Sequence, residues 1–432
     1  MRSTDESDVV AITSDLIRID TTNRGGGDAV GEGIAADYLA SLLAEVGIES
    51  QRYEKAPGRT NLIARWRGSD PDLPALLLHG HLDVVPADAA DWTVDPFGGV
   101  VMDGKLWGRG AVDMKNMVAM IVASVRTLIA EGFVPQRDII LAFLADEEDN
   151  SHFGARWLVA EHPEVFRGAD VAISEVGGFS ADIGGRPVFF VQTGEKGILW
   201  LRLRSRGRAS HASQLNNDNA IIELARALIR IDEEPWPVAL TSTTARLLEE
   251  LRAITGAPAH ADARDVLAAV GPCAPFVVPG LSNVSNATVF DAGYKTNIVP
   301  AEATASIDVR VLPGQRDKVL QRVRDLAGPA VEVTVEDDVA AVETTFDGPL
   351  VDAMRSSIEH FRPDARVVPY LLPAGTDNAM LAGLGIRGFG FAPLLLPAGY
   401  DFPAMFHGAD EHVPVDALLF GRGVLTELIR RY

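Results

Sequence analysis

The sequence predicts an α/β protein in which a mixed sheet flanked by helices is interrupted by an inserted α+β unit. Three observations carry this expectation. The stretch Leu76-Leu77-Leu78-His79-Gly80-His81-Leu82-Asp83 is an apolar run that ends in an imidazole and a carboxylate. A strand apolar throughout is usually central in a parallel sheet, and open α/β sheets build their sites just beyond the carboxyl ends of such strands. Helix-like and strand-like segments alternate over the first half, as βαβ units do. After about Gly194 the pattern changes: Leu199, Leu201 and Leu203 alternate with Arg202 and Arg204, as in an antiparallel sheet wet on one face.

Each element follows from its own residues. Val9, Ile12, Leu16 and Ile19 recur at helical spacing behind the capping candidates Ser7 and Asp8, and a second helix spans about 29–46 before Gly47 stops it. Strands are expected over 61–66 and 75–79, and a hairpin over 100–107 folds about the turn pair Asp103-Gly104. A helix over 116–130, a strand over 138–144, a helix near 153–162 and a strand over 171–174 continue the alternation. In the inserted unit come a strand at 198–205, a helix at 219–231, a strand at 304–312, a helix at 315–326 and a strand at 331–335. The chain thus divides into a first segment of the larger domain, 1–193, an insertion, 194–339, and a second segment, 340–432.

Composition narrows the function. At 432 residues, 47% hydrophobic and 23% charged, the chain can bury more than one core, since domains average ~150 residues. Acidic residues outnumber basic ones 60 to 39, for a net charge of −21, and no Lys/Arg cluster tracks a phosphate backbone, so no nucleic-acid partner is expected. The residues 1–7 lack the basic-then-apolar order of a signal peptide, and no apolar stretch approaches the ~18 residues of a membrane span. The single cysteine, Cys273, excludes an internal disulfide. A cytoplasmic protein with no membrane partner is the expectation.

Four predicted strand ends carry acids or imidazoles. His81 and Asp83 lie two apart, so an extended backbone points both to one side, and the carboxylate can orient the ring while the ring binds metal. Asp113 follows the glycine turn Gly108-Arg109-Gly110 directly before a helix; it is a metal ligand or a helix N-cap. Asp146-Glu147-Glu148 crowd the end of a buried strand, a cost that a cation would offset, unless the three sit in a solvated loop. Glu175 ends the next strand.

Together with His407-Gly408 these residues resemble the co-catalytic zinc metallopeptidase family, which includes aminoacylase, acetylornithine deacetylase, succinyl-diaminopimelate desuccinylase and glutamate carboxypeptidase. The resemblance spans nearly the whole chain. It implies a zinc-exopeptidase-like catalytic domain with an inserted α+β lid or dimerisation domain, and two zinc ions that cobalt or manganese can replace. In that likeness Asp113 bridges the two ions, His81 and Glu175 complete one, Glu148 and His407 complete the other, and Asp83 orients His81. Glu147 is the general base, and the peptide bond after Asp113 is often cis in the family. His211, in Arg208-Ala209-Ser210-His211, resembles the histidine that reaches a partner subunit's oxyanion, which implies a homodimer. Asn297 and Arg310 resemble the residues that hold the substrate and its carboxylate, and Gly375-Thr376 the turn that lines the pocket.

The implied reaction is hydrolysis of the amide bond of short peptides or N-acyl amino acids with a free carboxylate. Two other readings stay open: an acetylornithine-type or succinyl-diaminopimelate-type deacylase of amino-acid biosynthesis, and a non-catalytic binding protein on the same fold. Ser-Glu-Val-Gly-Gly around Glu175, where the deacetylases carry Gly-Glu-Pro, favours the dipeptidase and carboxypeptidase-like branch. Asn378-Ala379 replaces a frequent Ala-Arg and removes one expected substrate contact. The Ala- and Pro-rich stretch 233–280 is extra sequence for the family, expected to cover the active site or alter the dimer face.

Overall fold

The structure is a computed structural model and describes residues 8–432. The capping candidate Ser7 lies outside the described residues, and the first helix is Asp8–Arg18. The second, Gly33–Ala44, starts later than its apolar spacing suggests. Ala29 is bridged to Asn23, and Gly31 passes the carbonyl of Gly58 so closely that a Cβ there would lie 2.7 Å from its oxygen.

A ten-stranded mixed sheet organises the larger domain. Its order runs Ser50–Ala56, Arg59–Trp66, Ile139–Leu144, Ala75–His81, Ala169–Ser174, Arg387–Gly390, Arg186–Glu195 and Val342–Glu343, with Arg366–Leu372 and Phe179–Ile183 also paired to Arg186–Glu195. Ala75–His81 is central and parallel to both neighbours, which is why its residues are buried without exception. Because the side chains alternate across it, Leu76 and Leu78 face one core with the helices Lys115–Ala130 and Val415–Arg431. Leu77 faces a second core with Trp157 and Leu158 of Ala155–Glu161. His81 pairs with Leu144 and Leu78 with Ile173, so three adjacent parallel strands end together. The predicted hairpin is present as Val100–Met102 and Lys105–Trp107, with positive φ at both Asp103 and Gly104, and His412–Pro414 joins it.

The inserted sheet has the order Val284–Ala292, Glu302–Val311, Gly197–Arg206, Val331–Val339, all antiparallel. Leu199, Leu201 and Leu203 pack with Ile307, Val309 and the helices Ala220–Asp232 and Arg316–Ala327, while Arg202 and Arg204 take the other face. The extra stretch does not stay with this sheet. Leu247, Leu248 and Leu251 of Ser242–Thr255, then Leu267, Cys273 and Val277, join the larger domain's core. The segment 194–339 therefore encloses a helical excursion whose apolar face belongs elsewhere.

Candidate metal centre

The three strand ends deliver the site. His81 closes Ala75–His81, and its Nδ1 lies 2.9 Å from the carbonyl oxygen of Asp83. A carbonyl only accepts, so Nδ1 carries a hydrogen and Nε2 is left to face the centre, 3.1 Å from Asp113 Oδ1 and 3.5 Å from Glu175 Oε2. The Asp83 carboxylate sits 3.5 Å from the same Nδ1, but its principal bonds are elsewhere. It accepts from Asn23 Nδ2 at 2.9 Å and from the backbone N–H groups of Glu147 and Glu148 at 3.1 and 3.2 Å.

Asp113 is held by a residue the sequence reading left without a role. Glu411, fully buried, accepts N–H bonds from Gly110, Val112 and Asp113 and a charged bond from Arg109 at 2.7 Å. That carboxylate fixes the glycine turn as a cradle, and the Asp113-Met114 peptide bond is cis. Asp113 does not cap the following helix, whose N-cap is Met114. Its oxygens diverge instead: Oδ1 faces His81, and Oδ2 lies 3.2 Å from His407 Nε2. The same His407 nitrogen is 3.1 Å from Glu148 Oε2, while Glu148 Oε1 is buried without a partner.

Two donor groups result, His81/Asp113/Glu175 and Asp113/Glu148/His407, each with its ligand atoms within 4.8 Å of one another. The site fits divalent metal. A tetrahedral ion with nitrogen and oxygen ligands at ~2.0–2.1 Å imposes ligand edges of ~3.3 Å, and the imidazole–carboxylate distances here run from 3.1 to 3.5 Å. The electrostatics agree. Hydrogen bonds to Asp113 and Glu148 push His407 up to about 10. Burial alone would lower His81, but Glu175, Asp113 and Asp83 reverse it and hold it well above its ordinary value. The carboxylates thus draw positive charge into the site, and a cation would replace those protons.

Asp146 stands apart from this acidic cluster; the sequence left the three acids open between a cation site and a solvated loop, and for Asp146 neither holds, since it is fully buried. Its backbone is left-handed, φ +68°, which turns its side chain to Arg59 Nη2 at 2.6 Å and Asn23 Nδ2 at 2.9 Å. Arg59 in turn forks onto the buried Glu32. Glu147 remains in the cleft without a protein hydrogen bond to its carboxylate. Desolvation, followed by repulsion from Glu175, raises its pKa well above the glutamate range.

Other expected residues lie apart. His211 is exposed on the inserted unit, paired through Nδ1 to Ser213 Oγ at 2.8 Å, and touches neither donor group. Asn297, in the turn before the strand Ile298–Val299 that pairs with Ser210–His211, accepts the Ala212 N–H through its carbonyl and is also exposed. Arg310 lies on the inserted sheet, where Asp308 occupies its Nε and Nη2 at 2.7 and 2.9 Å. Thr376 donates to Glu195 at 2.7 Å, and Gly375 rests on Ile198. Asn378 is buried against His79 Nε2 at 3.0 Å, so the residue in the Ala-Arg position serves the core. The stretch 233–280 supplies Phe276, whose ring meets Phe406 edge-on at 5.0 Å beside His407 and reaches Phe402 at 6.0 Å.

Residues 77–431 match the model of peptidase family M20/M25/M40. Aminoacylase-1 of Mus musculus is 27% identical over 413 residues, covering 92% of this chain and 89% of its own length. A probable carboxypeptidase S-like 2 of Dictyostelium discoideum is 30% identical over 391 residues, covering 82% and 71%. Among solved structures, an M20 family metallo-carboxypeptidase, Sso-CP2 from Sulfolobus solfataricus, superposes with a TM-score of 0.76 at 19% identity, over 98% of this chain and 99% of that one.

Proposed function

Because the chain belongs to peptidase family M20/M25/M40 and is a metallohydrolase, we propose that it hydrolyses the amide bond of short peptides or N-acyl amino acids that end in a free carboxylate. The observation that carries this reading is Asp113, whose two oxygens each serve a separate donor group. His81, Asp113 and Glu175 would hold one zinc ion, and Asp113, Glu148 and His407 the other. Such a pair supplies Lewis acidity to the attacking water and to the scissile carbonyl.

The residues around it do the rest. Glu147, free of protein partners, takes a proton from the water and returns it to the leaving nitrogen. Its raised affinity for protons suits a group that must both accept and donate a proton. Asp83 fixes the turn that carries Glu147. Arg310 and Asn297 hold the substrate, with Arg310 on its carboxylate through the nitrogen that Asp308 leaves unengaged. Gly375 and Thr376 line the same pocket.

A homodimer belongs to this reading. His211 points to solvent, and Val284–Ala292 is an edge strand with exposed Val289 and Phe290, a surface suited to a second copy. His211 of one subunit then supports the oxyanion in the other. A cytoplasmic setting suits the lone thiol of Cys273, and among the described residues no helix is long and apolar enough to cross a membrane.

Hydrolysis of dipeptides, N-acyl amino acids and acetylornithine, each with zinc, cobalt or manganese, tests the proposal. Activity on free-carboxylate amides that Glu147→Gln abolishes is the expected result. Inactivity across the panel, or full activity of Glu147→Gln, would overturn it.

A further inference from the structure

Lys196 stands where the large sheet hands over to the inserted one. It follows Arg186–Glu195, precedes Gly197–Arg206, and gives its backbone N–H to the carbonyl of Leu372. Its side chain is 1% exposed, and its ammonium has no hydrogen-bond partner. The charged group that bears on it is another cation, Arg310. An ammonium buried with neither partner nor counter-charge costs stability that an apolar side chain of the same length would not. Such a group calls for an anion that the chain itself does not supply.

The neighbourhood shows where that anion would sit. Ile198 pairs in register with Arg310, and Trp200 with Asp308. Lys196 lies in the link directly before that strand, two residues ahead of Ile198, and Arg310 is the charged side chain close enough to act on its ammonium. Asp308 accepts from Arg310 Nε and Nη2, and also from Trp200 Nε1 at 3.2 Å, which fixes the guanidinium and leaves Nη1 without a hydrogen bond. On the other side the Gly375 turn closes on Ile198, where a Cβ at Gly375 would lie 3.2 Å from its Cδ1. Two cations and a bare glycine turn therefore meet at the junction of the two sheets.

We propose that Lys196 is the second cation of an anion site shared with Arg310, and that this site takes the free carboxylate of the substrate. The inference rests on the reading that Arg310 faces that carboxylate. Burial and Arg310 pull the Lys196 ammonium down to about 8, and a bound carboxylate would restore its charge.

The test compares an N-acetyl-L-amino acid with its N-methylamide as substrates of the zinc-loaded wild type and of Lys196→Met. The ratio of kcat/KM for acid over amide falls about 10- to 100-fold in the variant, the scale of a charged hydrogen bond. The thermal midpoint holds or rises, because a buried unpaired charge has been removed. An unchanged ratio overturns the proposal, as does an equal loss on both substrates with a lowered midpoint, which marks a structural lysine. A wild type that treats acid and amide alike instead refutes the carboxylate reading itself, and the role of Lys196 falls with it.

Discussion

The carboxylate of Asp83 accepts the backbone N–H groups of both Glu147 and Glu148, at 3.1 and 3.2 Å. One side chain at the end of one strand therefore sets the base and a ligand on the turn after the next. It does so while its own carbonyl orients His81.

Asp83→Asn keeps one acceptor oxygen but turns the other position into a donor that clashes with a backbone N–H. We expect kcat to fall about 10- to 100-fold, the usual scale for a residue that orients ligands, with both metals largely retained. His81→Ala instead empties one donor group. Metal content per chain after saturation and dialysis, measured beside kcat, separates the two; loss of both metals in Asp83→Asn would refute the assignment.

Phe276 braces the loop that carries His407 through its edge-on contact with Phe406. Phe276→Ala should weaken metal at Asp113/Glu148/His407 by about 10-fold and leave His81/Asp113/Glu175 unaffected. Calorimetric titration with zinc reads this as a split between two binding steps. Equal weakening of both steps would show that the ring serves the core alone.

Glu147 must be ionised to accept a proton. In the metal-free protein desolvation and the nearby Glu175 raise its pKa, so a carboxyl should titrate above the ordinary glutamate range and disappear in Glu147→Gln. Carboxyl-resolved NMR titration of the metal-free protein measures it. A titration at the normal glutamate position would contradict the environment described for this side chain.

Burial pushes Glu195 up to about 8, from a reference of 4.5. The folded state therefore keeps a proton that the unfolded chain releases above 4.5, so this residue's contribution to stability is full below that pH and lost as pH rises toward 8. Glu195→Gln removes the dependence. Urea unfolding at pH 5 and pH 8 should show the variant gaining on the wild type at the higher pH, and a constant difference would refute it.

Much of the centre is legible in the sequence because buried parallel strands read as unbroken apolar runs, which exposes the polar residues at their ends. Ala75–His81 and Ile139–Leu144 announce themselves in this way. Ser50–Ala56 does not, because it is an edge strand of polar residues with no buried position. The left-handed backbone of Asp146 leaves no trace in the letters Asp-Glu-Glu, so an acid bound to Arg59 reads like a metal ligand. Glu411 follows His407 closely enough to be noticed, but its bonds run to backbone N–H groups and have no sequence partner to reveal them. The helices of 242–281 show an amphipathic pattern, yet pattern alone does not tell which core an apolar face will join.

That helical excursion changes what kind of unit the insertion is. The chain enters the second sheet after Glu195, returns to the first core through Leu247, Leu251 and Val277, and then enters the second sheet again at Val284. The two parts are interlaced rather than plugged together. Excising 194–339 would strip part of the larger core along with the smaller sheet, and any closing motion between the parts must twist several backbone links together instead of swinging on a single pair.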